Sequence, residues 1–114
     1  MDARVEKLLS AFEKNGWKIS GSADISVDWW FEDIIQLSSI WHPIGTNLYI
    51  TLLTDPMITD RKKVWAVKIS SEVPNNKHYK FLEEITLNDI KRIDLDLLVK
   101  TINKLVLRER KSNE

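Results

Sequence analysis

Apolar residues recur at helical spacing at both ends of the chain and at strand spacing between them. Val5, Leu8, Leu9 and Phe12 stand at i, i+3, i+4 and i+7, which puts them on one face of a helix over 2–15. Asp2 suits its N-cap. Asn15-Gly16 suits its stop, with Gly16 able to take the left-handed conformation just past the last turn. Phe12 and Trp17 then hold the two positions that touch across such a cap, so Trp17 should fold back onto Phe12. Near the other end, Leu95, Leu98, Val99, Ile102, Leu105 and Val106 form a second stripe. Asp94 can cap it and Asp96 lies in its first turn, while Arg108, Arg110 and Lys111 sit at its end. That charge order suits a helix dipole.

Between these helices the period falls to two. A short strand fits 17–20, with Gly21-Ser22 as its break. Ile35, Leu37, Ser39 and Trp41 alternate with Ile34, Gln36, Ser38 and Ile40. "HPIG" follows, where Pro43 and Gly45 provide turn geometry. Leu48, Ile50 and Leu52 then share one face, and Tyr49, Thr51 and Leu53 share the other. A strand apolar on both faces is central in its sheet or covered twice. Residues 34–54 therefore read as a hairpin, ended by Asp55-Pro56. After the polar "MITDRKK", a strand over 64–71 puts Trp65, Val67 and Ile69 on one face, which places Trp65 in the core or at its edge. Pro74 and Asn75-Asn76 mark another turn. "YKFLEEITL", 79–87, reads as a further strand whose charges suit a sheet edge. The structure of 21–31 and of 86–93 is not fixed by the pattern; within the latter, "NDIKRI" reads either as a turn of helix or as a loop.

The expected fold is α+β: one two-layer domain over 1–114, with an N-terminal helix, an antiparallel meander of four or five strands and a C-terminal helix. Both helices have a single apolar stripe, so both should pack on one sheet face.

Composition narrows the function classes. Of 114 residues, 43% are apolar and 30% charged, which suits a globular domain rather than a disordered one. Lysine plus arginine and aspartate plus glutamate each number 17. A neutral chain has no overall attraction for phosphate backbones, so no nucleic acid is expected as partner, although the C-terminal "LRERKSNE" is a basic cluster. Cysteine is absent, which removes disulfides and thiolate metal sites and fits a reducing compartment. The first residues lack a basic segment followed by an apolar run, and no stretch approaches the roughly 18 apolar residues of a membrane span. A cytoplasmic protein without a signal peptide or membrane association is expected.

Candidate chemistry is sparse. His42 and His78 lie 36 positions apart, each beside a turn, and two histidines alone do not make a metal site. His42 and Asp55 fall at opposite ends of their segments. Asp28, Glu32 and Asp33 surround Trp29-Trp30-Phe31 without any nucleophile signature, and read as solvated charges beside an aromatic patch. Thr54-Asp55 and Asp60 do not match a calcium loop. There is no glycine-rich phosphate loop, serine elbow or HExxH helix. The pattern points away from an enzyme, with no metal and no cofactor expected.

The five tryptophans, Trp17, Trp29, Trp30, Trp41 and Trp65, are the unusual feature. Each buries a large area and seeks a partner for its indole N–H. Adjacent side chains on a strand point to opposite faces, so at most one of Trp29 and Trp30 can face the helices. The other is a candidate for a contact between molecules, since aromatic side chains are enriched in interfaces.

One stretch resembles a known pattern. Leu37, Ser39, Trp41, Pro43 and Gly45 are followed by Tyr49, Thr51, Leu53, Asp55 and Pro56, then by Val64, Trp65, Ala66 and Val67. Together they resemble a family of small uncharacterised bacterial proteins with an L-x-S-x-W-x-P-x-G hairpin, a Y-x-T-x-L-x-D-P strand and a VWAV strand. The likeness covers the middle third of the chain and implies no activity and no functional residues. The residues instead point to a protein-interaction module, an adaptor or an immunity-type inhibitor, binding a protein partner or a second copy through Trp29, Trp30, Trp41 and His42. The alternative is a small-molecule site or enzyme near 42–60, with Tyr49, Thr51 and Asp55 as pocket lining beside His42.

Overall fold

The computed structural model describes residues 3–22, 31–40, 47–54, 64–72 and 80–113. Its elements run α1 (Ala3–Lys14), β1 (Trp17–Ser22), β2 (Phe31–Ser39), β3 (Asn47–Thr54), β4 (Val64–Ser70), β5 (Glu83–Thr86), α2 (Leu87–Ile90) and α3 (Leu95–Asn113). The strands form one antiparallel meander in the order β1-β2-β3-β4-β5. The two-layer α+β fold follows from the stripes. Val5, Leu8, Leu9 and Phe12 of α1 and Val99, Ile102 and Val106 of α3 are buried in one cluster with Ile35, Leu37, Leu48, Ile50, Leu52, Val67, Ile69 and Ile85 of the sheet. Fully burying one such side chain stabilises the fold by about 1.5–3 kcal/mol.

The end of α1 sets how the sheet begins. Gly16 has φ 94° and turns the chain out of the helix. The Asn15 backbone N–H donates to the Phe12 carbonyl at 3.0 Å, which tightens the last turn. Trp17 then starts β1 at 1% exposure, in the same cluster as Phe12. Its Nε1 donates to Asn103 Oδ1 of α3 at 2.7 Å. Gly16 O also accepts from Ile40 N at 2.9 Å, extending the β1–β2 ladder. At the other end Asp94 caps α3, its Oδ1 accepting from Leu97 N at 3.2 Å. The expected cap at Asp2 lies outside the described residues.

Three register irregularities interrupt the ladders, between Ile19 and Gly21, between Phe31 and Asp33, and opposite Leu53 and Thr54. The first and the last correct a sequence expectation. Gly21 does not break β1: the strand continues through it with φ 140°, and Ser20 is the extra residue of a bulge. In β4, Ala66 pairs with Leu53 and Val64 with Thr54, so Trp65 is the extra residue. The bulge undoes the alternation expected there. Val64 packs against the helix-side core, and Trp65 stands 45% exposed instead of being buried. The strand expected over 79–87 is shorter: β5 starts only at Glu83, and at its other end Thr86 Oγ1 accepts from Asp89 N at 3.2 Å and caps α2. Phe81 precedes β5 and is exposed; Tyr79 lies outside the described residues.

The second sheet face is buried at its centre as well. Ile34, Tyr49, Thr51, Leu53, Ala66 and Ser70 are all buried, while the helical core lies on the opposite face. Thr51 sits between Ile34 and Lys68 in register on the middle strand, β3. Both outer strands discourage further pairing: β1 carries Lys18 and a bulge, and β5 has only four residues, two of them Glu83 and Glu84.

Two substitutions test this frame. Gly16→Ala places a Cβ in the left-handed region and should cost about 1 kcal/mol in urea unfolding. Trp17→Phe keeps an aromatic ring but a smaller one and removes the indole donor, leaving Asn103 Oδ1 without it, and should cost about 1–3 kcal/mol. An unchanged urea midpoint in either variant would contradict the role assigned to that residue.

Candidate functional site

The polar side chains of the described residues converge most where α1 ends against α3. Asn15 Nδ2 donates to the Ala11 carbonyl and to Asp96 Oδ1, both at 2.8 Å. Asn103 Nδ2 donates to the Asn15 carbonyl at 3.3 Å while its Oδ1 receives the Trp17 indole. Asp96 in turn pairs with Lys100 Nζ at 2.9 Å, one turn along α3. A chain of hydrogen bonds therefore runs from a buried indole to an exposed ion pair. The bond from Asn15 comes first, and Lys100 second, in holding the Asp96 carboxyl below its ordinary 3.8. Asp96 likewise holds Lys100 above 10.5. Beside this cluster a wide-open groove of about 640 Å³ is lined by Glu6, Lys7, Ser10 and Lys14 of α1 and by Leu95 and Asp96 of α3. Its charges are of both signs and it encloses nothing, so it offers no dry site for chemistry.

A second feature lies on the sheet. Trp65 projects from the β4 bulge, and three residues along the strand Lys68 Nζ stands 4.7 Å from the centroid of the Phe81 ring, itself 42% exposed. A cation held over an aromatic face contributes roughly 0.5–1 kcal/mol at an exposed site. Sequence reasoning assigned no role to Lys68 or Phe81. Their meeting depends on the β4–β5 register, where Leu82 N donates to Ile69 O at 2.7 Å.

Of the residues singled out from sequence, Tyr49 and Thr51 fall on one face of β3. Both are buried, Thr51 completely. Asp55, Trp29, Trp30, Trp41, His42 and His78 lie outside the described residues, as do Asp28 and the side chains of Glu32 and Asp33. Among the described residues no three histidine, cysteine, aspartate or glutamate side chains gather as metal ligands would. Among the described residues no helix is long and apolar enough to cross a membrane. No protein-family model, curated protein or solved structure matches the chain.

The Asp96 pair has a pH signature. A carboxyl whose folded value is lowered stabilises the fold above its unfolded value and loses that contribution as pH falls through the folded one. A raised lysine stabilises below its unfolded value and loses its share as pH rises through the folded one. The two describe one interaction, exposed at both partners. Between neutral pH and values below 3.8, wild-type Tm should therefore fall further than that of Asp96→Asn. Parallel Tm curves would show that the pair contributes nothing.

Proposed function

We propose that this chain is a small cytoplasmic protein-interaction module, acting by surface contact as an adaptor or an inhibitor of the immunity type. The observation that carries the reading is Trp65. A bulge turns its large ring out of the core to 45% exposure, on a strand where Ala66, Val67 and Ile69 are buried. An exposed tryptophan set in a rigid sheet loses little conformational freedom on binding, which suits an anchor residue. Phe81, steadied by Lys68, supplies further exposed aromatic surface from the neighbouring segment. The bulge in β1 and the shortness of β5 favour docking through side chains over strand addition. Burial of Tyr49 and Thr51 weighs toward surface contact and away from a pocket at their side chains. The VWAV stretch containing Trp65 is also part of the pattern shared with the small uncharacterised bacterial family, to which we assign the chain within the same proposal.

The test compares variants. Tagged wild type and Trp65→Ala are expressed in the native cell and crosslinked, and captured proteins are quantified, with size-exclusion mass measurement to register self-association. Loss of a specific partner, or of a dimer, in Trp65→Ala at unchanged Tm is the expected result. Identical capture and identical mass for both proteins would overturn Trp65 as the anchor.

A further inference from the structure

We propose that Asn15-Gly16 is a latent deamidation site held closed by the contact between α1 and α3, and that its conversion to aspartate undocks the two helices. The reaction needs only water. The Gly16 backbone nitrogen attacks the Asn15 side-chain carbonyl carbon and transfers its proton to the departing amide nitrogen, which leaves as ammonia. Water then opens the resulting five-membered imide to aspartate or its β-linked isomer. Glycine after asparagine favours the attack, because no Cβ shields the nitrogen and the backbone reaches conformations closed to other residues.

The folded geometry opposes it. Both N–H bonds of the Asn15 amide are engaged, one with Ala11 O a turn back along α1 and one with Asp96 Oδ1, each at 2.8 Å. The side chain is thus tied to Ala11 and Asp96, and must release them before it can swing to meet the Gly16 nitrogen. Asn103 holds the Asn15 carbonyl from the opposite helix. Attack must wait until this end of α1 opens locally.

The product cannot rebuild the contact. A carboxylate at position 15 has no hydrogens for Ala11 O or Asp96 Oδ1. It faces the Asp96 carboxylate at the distance of the former hydrogen bond, where like charges repel. Lys100 already pairs with Asp96. The strain passes through Asn103 to the Trp17 indole, so one chemical event reaches the core. The device is irreversible and timed by local opening, and it goes beyond any surface contact made by Trp65.

The full-length chain is incubated at mildly alkaline pH, native and in urea. Peptide mass mapping follows amide-to-acid conversion at position 15. Native wild type should convert roughly tenfold or more slowly than the unfolded chain, since a hydrogen-bonded helix end reacts only when it opens. Asp96→Ala should move the native rate toward the unfolded one. Lys100→Ala, an exposed change that removes the ion pair holding the Asp96 carboxylate in place for Asn15, should move it a smaller way, covering the case in which Asp96→Ala does not fold. Separately, Asn15→Asp should melt below wild type and lose part of the near-ultraviolet signal of buried Trp17. Equal native and unfolded rates, no acceleration in either variant, or an Asn15→Asp protein that melts and absorbs like wild type would each overturn the proposal.

Discussion

The rest of the structure depends on how the chain leaves α1. Gly16 permits the left-handed step out of α1, after which Trp17 joins Phe12 in one buried cluster and β1 runs along β2. Among the described residues Trp17 is the largest fully buried side chain, and its ring cannot enter the core without a partner for its N–H. Asn103 provides that partner from the far end of the sequence. A local turn and a long-range hydrogen bond are thus two halves of one constraint. Together they define where α3 sits relative to α1, and α1 in turn packs on β1 and α2.

The bulges are the second determinant. A perfect two-residue alternation would have sent Trp65 inward with Val67 and Ile69. One unpaired residue in β4 exchanges it for Val64, so an aromatic ring faces out where a small β-branched side chain fills the core. The same device in β1 lets a glycine remain inside a strand and spoils that edge for pairing. Surface chemistry on this sheet is therefore decided by register and not by residue type. The exposed features, Trp65 and the Lys68–Phe81 pair, are products of pairing that no local pattern encodes.

The legible part of the site was correspondingly small. Tyr49 and Thr51 were placed on one strand face by alternation, and they share it. Their complete or near-complete burial was not readable, because it depends on what packs over the second sheet face. Asn103 could have been noticed as an amide inside the apolar stripe of α3, next to Ile102, yet its partner is 86 residues away. Asp96 was read as a first-turn charge complementing the helix dipole. That it also receives Asn15 is a fact of helix–helix placement. Phe81 was assigned to a strand, whereas β5 pairs with β4 only from Glu83 onward and leaves Phe81 before it.

By itself the sequence determined the parts with strong periodicity. The two long helices with their buried faces, the Asp94 cap, the Gly16 stop, the β2–β3 hairpin and the one-sided helical layer all follow from spacing and backbone preference, which act over a few residues. Tertiary structure alone decided the strand register, and with it the bulges, the exposure of Trp65, the cation over Phe81 and the polar chain from Trp17 to Lys100. Those depend on which distant groups meet. A shift of one residue in pairing exchanges the two faces of a strand without altering its hydrophobic pattern, so the pattern cannot choose between them until the sheet is assembled.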